Sequence, residues 1–247
     1  MNGLWESVVG NVVFLLEFLA IIVAIVLVAY CVEKYFSKKN GVTEKILSTR
    51  KIAMIGMFSA LATILMLFEI PMPFAPSFYK LDFSEVPVLV GTFAFGPVAG
   101  VMIEFVKILL KLIIKGTSTA FVGELANFVV GCSFALPASI IYIVKKTRKN
   151  AIIGCAVGTV ILTIVGTSFN AVYLLPKFAE LYGMPLEALI GMGTAINPRI
   201  TNIVNFVVLA VAPLNIIKGV SVSLITMLIY KKLSPILKSV TVGGKKK

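Results

Sequence analysis

The sequence predicts an all-α membrane protein: a six-helix core preceded by one extra N-terminal transmembrane helix. Three observations carry this. The chain has 247 residues, of which 59% are hydrophobic and only 14% charged, against roughly 25% charged in a soluble domain. Its mean hydropathy is +1.02. Several apolar runs reach the roughly 20 residues that cross a hydrocarbon core of about 30 Å, and lysine and arginine gather in the connections between them.

The first span is read at about Val12 to Val32, followed by a basic connection, residues 33 to 51. The second runs from about Ile52 to Ile70 and stops at Pro71. Next comes "FEIPMPFAPSFYKLDFSEVP", stiff with proline and rich in aromatic and charged side chains. Residues 86 to 95 form a short apolar stretch that breaks at Gly96-Pro97, and a further helix continues to about Ile114. "KGTST" makes a turn that offers N-cap hydroxyls. Further spans run from about Ala120 to Val144, from Ala151 to Leu175, and from Ile203 to Tyr230, the last expected to kink at Pro213. Residues 176 to 202, punctuated by glycine and proline, are expected to be a partly helical loop. The chain divides into residues 1–50 (extra helix and basic linker), 51–233 (membrane core) and 234–247 (basic tail).

The formal net charge of +12 is placed rather than spread. Lys34, Lys38, Lys39, Lys45, Arg50 and Lys51 lie in one connection, Lys145, Lys146, Arg148 and Lys149 in another, and Lys231, Lys232, Lys238 and Lys245 to Lys247 at the end. Such clusters beside apolar runs mark cytoplasmic loops and contact anionic lipid headgroups; nucleic acid is not indicated. The N-terminus then faces outward and the C-terminus the cytoplasm, with the proline-aromatic segment, "KGTST" and residues 176 to 202 outside. The opening "MNGLWESVVGN" has no Lys or Arg, so it is not the basic start of a cleaved signal peptide.

The chain has no histidine, so no Ser/His/Asp triad and no HExxH zinc site is available. Cys31, Cys132 and Cys155 have no C-x-x-C spacing and read as small buried hydrophobes, which points to no metal and no cofactor. No G-x-x-x-x-G-K-[ST] run exists, so any ATP must be hydrolysed by another subunit. The expectation is a protein that is not an enzyme.

Polar side chains cluster at one depth. Asn170 lies six residues before Pro176, about 9 Å below the outer end. Asn215 and Lys218 share a helix face, and Lys218 sits about 20 Å above Lys231. Glu124 and Asn127 form another i,i+3 pair, and Glu104, Lys107 and Lys111 line one face. A charge at a helix centre costs about 2.5–3.5 kcal/mol, so such residues face a cavity or a partner. Together they suggest an outward-opening pocket with residues 71 to 85 as its lid. Structural alternatives stand beside this: Asn127 suits a helix–helix hydrogen bond, Glu104 with Lys107 an ion pair within one helix, and Phe78, Tyr79 and Phe83 an interfacial aromatic belt.

At these residues the chain resembles a known family. "KLDFSEVPVLVGTFAFGPVAG", "GTSTAFVGELANFVVG" and "VAPLNIIKG" are similar, in that order, to segments of the riboflavin-specific substrate-binding components of energy-coupling factor (ECF) transporters. The resemblance spans residues 50 to 233, and the helix at residues 12 to 32 is additional to it. It implies a six-helix membrane protein, in the cell membrane, that takes riboflavin from outside. Its partners would be a transmembrane coupling subunit and two cytosolic ATPases that use the ATP. It implies that Asn170, Asn215 and Lys218 contact the isoalloxazine ring. Leu81, Asp82, Phe83 and Glu85 of the loop, with Glu124 and Asn127, complete the substrate-binding set. It also implies that the small residues Ala53, Gly56 and Ala60 meet the coupling subunit. A phosphorylated flavin or another vitamin is the nearest rival, with Lys80 and Lys115 as charge for a phosphate. A membrane enzyme or a structural subunit without a transported ligand is the rival of another class.

Overall fold

The computed structural model describes residues 12–39, 45–117, 119 and 121–242. The opening stretch 1–11, linker residues 40–44, Ser118, Ala120 and the terminal residues 243–247 lie outside the described residues.

Helix α1 (Val12–Lys39) comes first. Helix α2 (Thr49–Leu67) starts where the Ser48 hydroxyl accepts from the Lys51 amide at 3.3 Å, an N-cap that ends the basic linker. The proline-aromatic segment then forms a two-stranded antiparallel hairpin, β1 (Ile70–Pro71) against β2 (Lys80–Leu81), with Ile70 opposite Leu81 and Pro71 opposite Lys80. Tyr79 N donates to Pro76 O at 2.8 Å inside its tip. Prolines at 71, 73 and 76 fix φ along this short loop and lower the entropy lost when it orders.

Helix α3 (Glu85–Phe95) is only 11 residues long. It cannot cross a bilayer at 1.5 Å per residue, and it is buried through nearly its whole length. The chain reverses at Gly96, where φ is +104°, a value that favours glycine. Helix α4 (Pro97–Lys115) begins with proline in its first turn. It packs on α2 through hydroxyls: Ser59 Oγ reaches Ile103 O at 3.4 Å and Thr63 Oγ1 reaches Lys107 O at 3.3 Å. In a membrane, where apolar contact alone does not drive helices together, such interhelical bonds are worth about 0.6 kcal/mol each.

Helix α5 (Val122–Val144) returns, and α6 (Arg148–Phe169) starts at the Thr147 cap. A π-helical turn (Asn170–Leu174) follows, then α7 (Leu175–Tyr182) and α8 (Leu186–Thr194). The stretch expected as a partly helical loop thus holds two short helices. A short α9 (Ile203–Phe206) leads through a second π turn (Val207–Val211) into α10 (Ala212–Val242). Each π turn ends two residues before a proline, Pro176 or Pro213, whose missing N–H and bulky ring disfavour the ordinary i−4 bond. The expected kink at Pro213 is thus taken up by a widened turn just before it. Among the described residues, five stretches are long and apolar enough to cross a membrane: Val12–Lys39, Thr49–Leu67, Val122–Val144, Arg148–Glu180 and Ile203–Tyr230. With buried α3 and the charged α4, they make the extra helix and six more.

Candidate functional site

Four elements meet beneath the hairpin. The first π turn supplies Asn170, α10 supplies Asn215 and Lys218, α5 supplies Asn127, and the hairpin supplies Phe78, Tyr79 and Lys80. These line a cleft of about 110 Å³, with Leu174, Phe178, Val211 and Leu214 as apolar walls. An adjoining lobe of about 110 Å³ shares Phe78, Lys80, Thr119, Gly123 and Asn127, and reaches Asp82, Lys111 and Glu124. The sequence-derived trio Asn170, Asn215 and Lys218 is thus brought together.

Their bonding differs from residue to residue. Asn170 donates to Gly166 O at 2.7 Å and accepts from the Tyr79 hydroxyl at 2.7 Å, which ties the hairpin to the pocket wall. Burial pushes the Tyr79 hydroxyl well above the ordinary phenol range, so it stays a donor. Asn215 is buried, yet its Nδ2 has no hydrogen-bond partner. Gly166 allows the close approach: a Cβ there would meet Asn215 Nδ2 at 2.7 Å. Lys218 Nζ lies 3.3 Å from Asp82 Oδ2 and 3.5 Å from Glu85 Oε1. Glu85 in turn accepts from Lys107 at 3.1 Å, and Lys107 lies 2.6 Å from Glu104. Asp82, Lys218, Glu85, Lys107 and Glu104 therefore form one buried chain of alternating charge linking the start of α3 to α4 and α10.

The remaining expected residues sit around this centre. Leu81 is buried at the end of β2, and Phe83 packs half-buried against the core rather than along the cleft. Glu85 is fully buried behind Lys218. Glu124 is held by Lys111 at 2.5 Å and by the hydroxyls of Thr117 and Thr119. Asn127 donates to Gly123 O of its own helix and still borders both lobes. Lys80 and Lys115 both pair with Glu69, at 2.7 and 2.9 Å. Burial raises the Glu69 carboxyl, but hydrogen bonds and charge from Lys115 and Lys80 outweigh it and hold the group below its ordinary range. On α2, Ala53, Gly56 and Ala60 are exposed on one face, and a Cβ at Gly56 would meet nothing within 4 Å.

In the sequence Phe78 and Tyr79 read either as part of the pocket's lid or as an interfacial aromatic belt, and nothing singles out Phe178. Phe78 packs tilted against Tyr79, at 4.7 Å between centroids, and lies 5.7 Å from Phe178, and all three wall the cleft. A tyrosine beside a lysine in a proline-stiffened lid was the available signal. A second cavity system lies at the other end of the helices: about 120 Å³ lined by Glu33, Lys51, Gly96, Tyr142 and Lys146 among others. Its carboxylate is already used by Lys51 and the Val98 amide, which leaves it poorer in free anchors than the cleft beneath the hairpin.

The chain is similar to known proteins over this same region. Residues 50–230 match the family described as ECF transporter, substrate-specific component. A riboflavin transporter RibU of Staphylococcus aureus is 38% identical over 191 residues, 77% of this chain and 94% of that protein. The riboflavin transporter FmnP of Bacillus subtilis is 31% identical over 190 residues, 76% of this chain and 94% of that protein. A solved structure of the S component of a bacterial ECF transporter superposes with a TM-score of 0.59 at 37% identity, covering 76% of this chain and 97% of the other. The α1 helix precedes the family match. The protein is a multi-pass membrane transporter subunit rather than an enzyme, and it belongs to the family of substrate-specific components of ECF transporters.

Proposed function

We propose that this chain captures riboflavin from outside the cell and passes it inward as the substrate-binding subunit of an ECF-type importer. The observation that carries the reading is Asn215, a buried residue that lines the cleft among apolar and aromatic walls and whose Nδ2 has no partner. An unsatisfied buried donor costs about 1–3 kcal/mol, and an acceptor on a ligand removes that cost. A flavin's pyrimidine edge alternates carbonyl acceptors with an imide N–H, which suits amides that offer one acceptor and two donors. An ammonium has three protons, so Lys218 keeps one for a ring acceptor while facing Asp82 and Glu85. Phe78, Tyr79, Leu174, Phe178 and Leu214 supply apolar walls for the tricycle.

Each lobe, at about 110 Å³, is smaller than the roughly 300 Å³ at the low end of ligand pockets. Entry therefore requires the hairpin to lift and carry Tyr79 away from Asn170, and reclosure buries the ring. Glu69 ties up both Lys80 and Lys115 in ion pairs and halves the positive charge a phosphate would meet there, which favours the unphosphorylated vitamin over a flavin nucleotide. A coupling subunit would dock on the exposed small-residue face of α2, where close backbone approach is possible. Two cytosolic ATPases would supply the energy, since this sequence holds no P-loop. The basic connections support an N-terminus outside and a C-terminus in the cytoplasm.

The test is titration of riboflavin fluorescence with the detergent-purified protein. Saturable quenching in the low micromolar range or tighter, with weaker competition by the phosphorylated flavin, is the expected result. Absence of quenching would remove riboflavin as the ligand; equal competition by the phosphorylated form would remove the specificity argument.

A further inference from the structure

The α1 helix lies outside the matched family region, yet it is bound to the core at both ends. At its inner end Glu33 is 4% exposed, accepts from the Val98 amide at 2.9 Å and pairs with Lys51 at 3.2 Å. It therefore caps one orphan amide of α4, that of Val98, 65 residues away, as an N-cap carboxylate would. A Cβ at Gly96 would come within 2.9 Å of the Glu33 carboxyl, so the reversal between α3 and α4 is shaped to receive it. At its outer end Phe14 and Phe18 are buried, Phe18 lies 6.2 Å from the Phe128 ring, and the Lys177 ammonium sits 6.0 Å from the Phe14 ring. Between them Glu17 accepts a hydrogen bond from the Tyr173 hydroxyl.

Tyr173 belongs to the π turn that carries Asn170, three residues earlier, and its ring stacks on Phe169 at 5.3 Å. A π turn is held by longer, i−5 bonds, here Leu175 N–H to Asn170 O, and its rotation sets where Asn170 points. An anchor on Tyr173 therefore constrains Asn170. A carboxylate within an apolar helix is costly unless it has a partner, which gives Glu17 a reason to be spent here.

We propose that α1 is a built-in brace for the binding pocket, and that Glu17 and Tyr173 are positioning residues that hold the π turn so that Asn170 is aimed at the ligand. The inference rests on the riboflavin-binding reading of the cleft for its effect on affinity, but not for its effect on the turn. Glu33 fixes the inner end of the same helix, so α1 spans the membrane as a strut between the α3–α4 reversal and the pocket wall.

The experiment uses the full chain in mild detergent. Riboflavin dissociation constants are measured for Tyr173→Phe, Glu17→Leu and Glu17→Gln, each alone and combined with Asn170→Ala, and for Tyr173→Phe combined with Glu17→Leu. Tyr173→Phe and Glu17→Leu should each weaken binding about three- to twentyfold, the range open to an interhelical hydrogen bond in a membrane, and their combination should be no worse than either. Glu17→Gln keeps an acceptor for Tyr173 and should stay near wild type. With Asn170→Ala present, Tyr173→Phe should have almost no further effect. Unchanged affinity in Tyr173→Phe, or an equal loss with and without Asn170, would overturn the brace. Hydrogen exchange of the ligand-free protein reads it without riboflavin: Glu17→Leu should speed exchange across residues 166–175, and unaltered exchange there would overturn the proposal. Should the wild type fail to bind riboflavin while exchange responds, the functional reading falls and the brace stands.

Discussion

Replacing Lys218 by methionine should damage the fold as well as the pocket. Met preserves the length of the side chain and removes only the ammonium. That ammonium lies 3.3 Å from Asp82 and 3.5 Å from Glu85, with 6% of Lys218 exposed. Breaking a buried ion pair costs about 3–5 kcal/mol, because a carboxylate is left buried without its counter-charge. Here each carboxylate keeps one donor: Glu85 retains Lys107 at 3.1 Å and Asp82 retains the Ser84 amide at 2.8 Å. The low end, about 3 kcal/mol, is therefore expected. At about 2–4 °C per kcal/mol for a chain of this size, the midpoint should fall by about 6–12 °C. The assay is thermal unfolding of ligand-free protein in detergent. Asp82→Asn combined with Lys218→Met should recover part of the loss, since it withdraws the stranded charge. A Lys218→Met midpoint within about a degree of wild type, or strict additivity in the double variant, would refute the reasoning.

Three further outcomes follow from the geometry. The Glu69 carboxyl is held below its ordinary range, so its bonds to Lys80 and Lys115 contribute fully above the unfolded pKa near 4.5 and are lost as pH falls through the lower folded value; limited proteolysis of the hairpin should be flat from neutral pH to about 5 and rise in stronger acid, and Glu69→Gln should abolish that rise. Gly166→Ala puts a methyl 2.7 Å from Asn215 Nδ2, so riboflavin affinity should fall by about tenfold or more, a loss of about 1.4 kcal/mol, with a smaller change in melting temperature. Gly56→Phe occupies open space on α2 and should leave riboflavin binding intact while abolishing uptake in cells that express the partner subunits.

Much of this architecture can be read from residue order because the bilayer imposes it. Apolar runs of fixed length, basic connections and proline stops give the extra helix and the six that follow. Asn215 and Lys218 are legible as a pair because a helix places i and i+3 on one face, and Asn170 joins them through simple depth counting. What could not be read is pairing across distance. Lys218 finds Asp82 136 residues away, and Glu33 finds the Val98 amide across 65; spacing carries no signal for either. The π turns before Pro176 and Pro213 also escape periodicity, since one extra residue per turn is invisible until the backbone bonds are seen. Residues 176 to 202 look like a loop because glycine and proline punctuate them, yet Pro185 serves as the N-cap of α8 and Gly183 ends α7 in the left-handed region. Glu124 and Asn127 share a helix face as expected, but Lys111 and the helix's own carbonyl take up their bonding.

Capture of riboflavin in this cleft requires that side chains from separate helices grip one flat heterocycle. Riboflavin affinity of the Asn215→Leu/Lys218→Leu double variant, measured on protein whose folding is checked by helical content, tests this most directly. A loss of at least a hundredfold, about 2.7 kcal/mol, is the predicted result. Retention of wild-type affinity by a folded double variant would contradict it.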